Sequence, residues 1–203
     1  MLHELSETIA DYFFDDKDSY AVDVYIYGIE LAISSLFGIV LVVLIGIATA
    51  SLAESIIFMA ALTSVRVFSG GYHANTYLKC NLITLMSAIF SVNSSKLLII
   101  SFSTWEILYL LILTFVLLLL TIIIFCPVEN KNKPIQREDR IKFKLISIAV
   151  IVILSVVCFI FFNIYGFEQV LIIIPTMIVV NISILVEIIL KRRRRKNEFK
   201  ESL

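Results

Sequence analysis

An all-α bundle of membrane helices is the fold class the sequence predicts, and three observations carry the prediction. The 203-residue chain is 60% apolar, with a mean hydropathy of +0.97. Only 17% of it is charged, against about a quarter in an ordinary soluble domain. The apolar residues fall in long runs and not at the period of a half-buried helix or strand, so most of the chain belongs in lipid. Net charge is zero, which excludes a global basic field for nucleic acid. Three cysteines, Cys80, Cys126 and Cys158, form neither a CxxC pair nor a disulfide framework. With only His3 and His73 as imidazoles, a His-rich metal site is not expected.

Residues 1–20 read as an amphipathic helix. Leu2, Leu5, Ile9 and the Tyr12-Phe13 pair recur at helical spacing, with Glu4, Glu7 and Asp11 opposite them. A secretory signal would begin with basic residues, not these acids. The helix lies either in the membrane interface or on the protein's own polar face. From Tyr25 to Val65 the only charges are Glu30 and Glu54. That length holds two spans of about 20 residues each, at about 25–47 and 50–66, with a turn near Gly46–Ser51. Both glutamates are costly in lipid and should sit at an interface or face the bundle, in structural roles.

The segment 81–126 holds the third and fourth spans. Leu82–Ile100 contains Ser87, Ser91, Asn93, Ser94 and Ser95, a density that favours helix packing over lipid exposure. Trp105 and Tyr109 mark an interface, and Leu108–Cys126 follows, ended by Pro127. Residues 127–144 read as a basic polar loop with Lys131, Lys133, Arg137, Arg140, Lys142 and Lys144. The last two spans fill 145–190, split near Gly166–Gln169 and kinked at Pro175, and residues 191–203 form a basic tail. Cytoplasmic loops hold the Lys/Arg excess. The two basic segments therefore orient both termini and the 66–80 stretch toward the cytoplasm, in a six-span chain.

The chemistry is expected in Arg66–Cys80. A thiol becomes a strong nucleophile as a thiolate, and an imidazole is the usual means. His73 and Cys80 are the closest Cys/His pair in the chain. Positions i and i+7 of one helix lie about 10 Å apart along the axis, too far for direct proton transfer. A dyad therefore needs a break in the helix. Gly70-Gly71 supplies residues able to reverse the chain. Asn75 or Thr76 can cap the following helix, leaving Cys80 near its first turn, where the macrodipole favours a thiolate. Lys79 and Arg66 add positive charge. Ser69 and Asn75 are both candidates to orient the imidazole. Cys126 and Cys158 lack polar company and read as apolar filler.

The pattern Arg66-x-x-x-Gly70-Gly71-x-His73-Ala74, with Cys80 seven residues after the histidine, resembles the AgrB family of accessory gene regulator proteins. The resemblance implies a membrane cysteine endopeptidase that processes an AgrD-like propeptide and closes the product into a thiolactone or lactone. It makes Cys80 the nucleophile and His73 its base, with Arg66 and Gly71 required. The basic loop with Lys131 and Lys133 also resembles a family feature, and a homodimer is a family expectation. Thioester exchange needs no nucleotide, so no cofactor is implied. Arg66 would bind a precursor carboxylate or support an oxyanion, the first being preferred. The rival class is a non-enzymatic transporter or export component, since Gly-broken segments and buried polar residues also build transport sites. No internal repeat supports it. A membrane anchor or sensor subunit would explain the basic tail but not the spacing of Arg66, the glycines, His73 and Cys80.

Overall fold

Long apolar runs become helices in lipid because each backbone N–H and C=O must be satisfied within its own segment. The computed structural model describes residues 2–13, 19–74, 76–128, 138–165 and 168–201, and these are almost entirely helical. In order they are α1 (Leu2–Phe13), α2 (Ser19–Ala48), α3 (Leu52–Ser69), α4 (Tyr77–Ser101), α5 (Thr104–Phe125), α6 (Asp139–Ile160) and α7 (Ile173–Glu201). A π-helical turn at Phe161–Tyr165 extends α6, and a 3-10 turn at Glu168–Ile172 leads into α7. Six segments are long and apolar enough to cross a membrane, and the chain is a multi-pass membrane protein.

The last helix is the centre of the bundle. α7 packs against α3, α4 and α5, and α2 packs against α3 and α4 on one side while α6 packs against α3 and α5. Ile172, Met177, Val180 and Ile184 are fully buried, together with Phe58 of α3 and Leu118 and Ile122 of α5. The 3-10 turn is buried against α3 and α4. Pro175 therefore does not kink a continuous span. It falls in the first turn of α7, just after the 3-10 segment, where a missing N–H costs little.

One expectation changes. The 127–144 loop is shorter, because α6 begins at Asp139 and carries Arg140, Lys142 and Lys144 as helical residues. The helix of the third span starts at Tyr77 with Thr76 as its cap, one of the two capping residues expected, so Tyr77 through Cys80 are helical. α1 buries Ser6 and Ala10 while Leu5 and Tyr12 stay exposed. Its small residues allow close approach to α2, leaving apolar side chains free for the lipid interface. Lys131, Lys133, Arg137, Asn75 and the Gly166-Phe167 turn lie outside the described residues.

Candidate active site

The fifteen-residue stretch Arg66–Cys80 is three things in succession. Arg66 sits in the last turn of α3. Residues 70–76 contain the irregular part, with His73 on it and exposed. Cys80, half-buried, sits in the opening of α4. The helix break that a dyad requires is therefore present, and the glycine pair makes it. Gly70 caps α3, its N–H donating to the Arg66 carbonyl, at φ +76° and ψ −157°. Gly71 follows at φ +138°. Side-chain-bearing residues rarely adopt either conformation.

The turn is fastened from both sides by segments distant in sequence. The Val128 N–H donates to the Ser69 carbonyl at 3.0 Å, in a short parallel bridge beside Gly70. A Cβ at Gly70 would overlap the Val128 carbonyl oxygen. On the other side the Tyr72 N–H is shared by the Ser183 carbonyl and hydroxyl oxygens of α7, each at 3.1 Å. A Cβ at Gly71 would come 2.9 Å from that hydroxyl. Ser69 is buried and donates its hydroxyl to the Gly70 carbonyl.

Arg66 closes the arrangement. Its Nη2 donates to the Tyr72 carbonyl, one residue before His73, and its Nε is buried with no partner among the described residues. The guanidinium also lies within electrostatic range of the Cys80 sulfur. The expected carboxylate-binding residue thus spends a donor on the loop itself. Lys79 has an exposed side chain, and its backbone N–H donates to the Thr76 hydroxyl. Thr76 is therefore the N-cap of α4, which puts Cys80 one residue past the capped turn.

Two further groups gain their partners only with the fold. Glu30 of α2 accepts from the Tyr77 hydroxyl at 3.0 Å, and its other oxygen lies 2.7 Å from His3 Nδ1 of α1. Its isolation as the only charge in its span was the sequence signal. Glu187 of α7 is 1% exposed, one turn past Ser183, with Oε1 3.8 Å from an Arg194 nitrogen and Oε2 unpartnered among the described residues. No sequence signal marked Ser183 or Val128. Cys126 and Cys158 are buried. Burial pushes the Cys126 thiol up to about 12, so it is protonated at neutral pH and a poor nucleophile.

These features define a polytopic helical membrane protein with a half-buried thiol, a guanidinium and an imidazole-bearing turn carried by one glycine-broken helix pair. The chain belongs to the AgrB family: the family model "Accessory gene regulator B" matches residues 6–190. It is similar to the "Putative AgrB-like protein" of Clostridium perfringens (strain SM101 / Type A), with 29% identity over 147 residues, 70% of this chain and 68% of that one. It is also similar to the "Putative AgrB-like protein 2" of Clostridium perfringens (strain 13 / Type A), 27% identical over the same shares of the two chains. No solved structure matches. Membership assigns the chain to the accessory gene regulator system and implies an AgrD-like partner.

Proposed function

We propose that the protein is a membrane cysteine endopeptidase that cleaves an AgrD-like propeptide on its C-terminal side and cyclises the product. In this reading the Cys80 thiolate attacks the scissile carbonyl, and His73 carries the thiol proton to the leaving amine. The cleaved peptide is left as a thioester on Cys80. A thiol or hydroxyl within the peptide then attacks that carbonyl, releasing Cys80 and closing a thiolactone or lactone. Exchange of one thioester for another is close to thermoneutral apart from ring closure, so no nucleotide is needed.

The observation that best supports the reading is the glycine-broken turn itself: it carries His73 between the end of α3 and the start of α4, where Cys80 lies, and Arg66 ties it down by donating to the Tyr72 carbonyl, one residue before His73. Arg66 then acts as loop anchor through one donor, and its remaining N–H groups are left for a precursor carboxylate. Lys131 and Lys133 follow Val128 by three and five residues and are the basic side chains we assign to an acidic part of the precursor.

The test is co-expression with a precursor peptide, followed by mass spectrometry of wild type, Cys80→Ala and His73→Ala. Cyclised product is expected from wild type alone. Undiminished product from Cys80→Ala would sink the peptidase reading and favour transport.

A further inference from the structure

Glu30 is the only charged residue in the 24-residue span Tyr25–Ala48, and its side chain is 14% exposed. A carboxylate in that setting is costly unless it does something specific. Its two oxygens are both engaged: one takes the hydroxyl of Tyr77, the other faces His3. Tyr77 is the first residue of α4 and lies three residues before Cys80, so the two occupy adjacent positions on one helix surface. One turn further along each helix, the Asn81 amide donates to the Ser34 carbonyl and hydroxyl, both at 3.2 Å. Spacings of four on both helices, Glu30/Ser34 and Tyr77/Asn81, make a polar seam from α2 to α4 that brackets Cys80.

We infer that Glu30, through its hydrogen bond to Tyr77, is a positioning residue that fixes the opening turn of α4 and so sets Cys80 against Arg66. The inference rests on reading Cys80 as the nucleophile. Thr76 caps the turn from within, but a cap satisfies backbone groups and does not fix the azimuth of a helix against its neighbour. Tyr77 and Asn81 do that, because they reach another helix. Arg66 is fastened independently, to the loop through Tyr72. The two partners of the Cys80–Arg66 pair are thus held by separate bond sets, and loosening the α2 side moves the sulfur relative to a charge that stays put. The same carboxylate meets His3, so α1 is tied to the nucleophile's turn through a single group.

The test uses the full chain in lipid nanodiscs, with Cys126→Ala and Cys158→Ala leaving Cys80 as the only thiol. Tyr77→Phe, Glu30→Gln and their combination are compared by two readouts. The first is the pH profile of Cys80 alkylation by iodoacetamide, which needs no peptide. The second is kcat and KM for precursor cleavage. Each single variant should slow alkylation several-fold across the pH profile, and should lower kcat about tenfold with KM within about twofold. The double variant should be no worse than either single, since both remove the same bond. Thr121→Val, which deletes a comparable interhelical hydrogen bond to Asn181, should change neither readout. Tyr77→Phe removes one oxygen atom and keeps the ring, so it also guards against misfolding of Glu30→Gln. An unchanged alkylation profile in Tyr77→Phe, or additive effects in the double variant, would overturn the inference. Loss of cleavage in every protein, wild type included, with the alkylation pattern as expected, would remove the peptidase reading and leave the positioning one standing.

Discussion

At Gly70 the backbone adopts φ +76° and ψ −157°, a region essentially reserved for glycine and costing of order 1–3 kcal/mol for other residues. Added to this, a Cβ there meets a backbone carbonyl, that of Val128, which cannot rotate away. At Gly71 the obstacle is the hydroxyl of Ser183, the end of a side chain. The two glycines therefore fail differently. Gly70→Ala should lower thermal stability by several degrees and abolish cleavage, and Ser183→Ala should restore nothing. Gly71→Ala should be milder, and adding Ser183→Ala should recover part of the loss, because the Tyr72 N–H keeps the Ser183 carbonyl as acceptor. Thermal unfolding in detergent and a cleavage assay on the four proteins would check this, and equal rescue of both glycine variants would count against it. The types of residue in this site were legible in the sequence: a thiol, an imidazole, an arginine and a glycine pair at telling spacings. Their fastenings were not. Val128 is an apolar residue at the start of a polar loop and Ser183 a small one in an apolar run, and Ser183 bonds across 111 positions, a pairing that no local pattern encodes.

Helices end and dock by rules that the same residues reveal unevenly. α2 closes in a Schellman turn: the Ser51 N–H bonds to the Gly46 carbonyl at 2.7 Å and the Ala50 N–H to the Ile47 carbonyl at 3.2 Å. The position that usually holds glycine in this motif is Ala50, at φ +52°. Left-handed backbone costs an alanine about 1–2 kcal/mol. Ala50→Gly should therefore stabilise the bundle by about 1 kcal/mol, less the extra freedom glycine gives the unfolded chain, and a rise in thermal midpoint would show it. The turn near Gly46–Ser51 was readable from composition, but which residue turned left was not, because Gly46 is itself on the helix. Docking of α1 was less legible still. Its helical spacing left an interfacial helix and one packed on the protein equally open; Ser6 and Ala10 are the residues it buries, and His3 reaches across to Glu30. The His3 imidazole is raised above its ordinary value by the hydrogen bond to Glu30 and by Glu7, whose carboxylate is 3.2 Å from Nε2. A raised folded-state value means that this contact contributes fully below about pH 6.5 and is lost as pH climbs through the raised value. Amide protection factors along α1 should fall as pH climbs above about 6.5 and through the raised value, and His3→Gln should flatten the profile. A steep fall that persisted in His3→Gln would rule out His3 as its origin.

The bundle has two chemically unlike ends. One carries the Gly70–Val128 bridge, Glu30 with Tyr77, and the start of α6 with Arg140, Lys142 and Lys144. α7 delivers Lys191 through Lys196 beyond that same end, since its Ser183 is already bonded to Tyr72 beside the glycine turn. At the other end the turn at Thr49 accepts a hydrogen bond from Lys96 Nζ at 2.9 Å, and the α4–α5 connection carries Ser103 and Glu106. Lys96 is the one basic residue described there. Six alternating spans and that imbalance were both readable from the sequence, because lipid constrains length and the Lys/Arg bias constrains orientation. The bias predicts that the site end is cytoplasmic, where a ribosomally made precursor would meet it. In a protein with Cys80→Ser, Cys126→Ala and Cys158→Ala, a new cysteine at Ser103 should react with a membrane-impermeant maleimide in intact cells. One at Asn197 should react only after permeabilisation. The reverse pattern would turn the thiol, the guanidinium and the glycine turn toward the outside. The precursor would then have to cross the membrane before cleavage, and the basic residues of α6 and α7 would need a role other than orienting the chain.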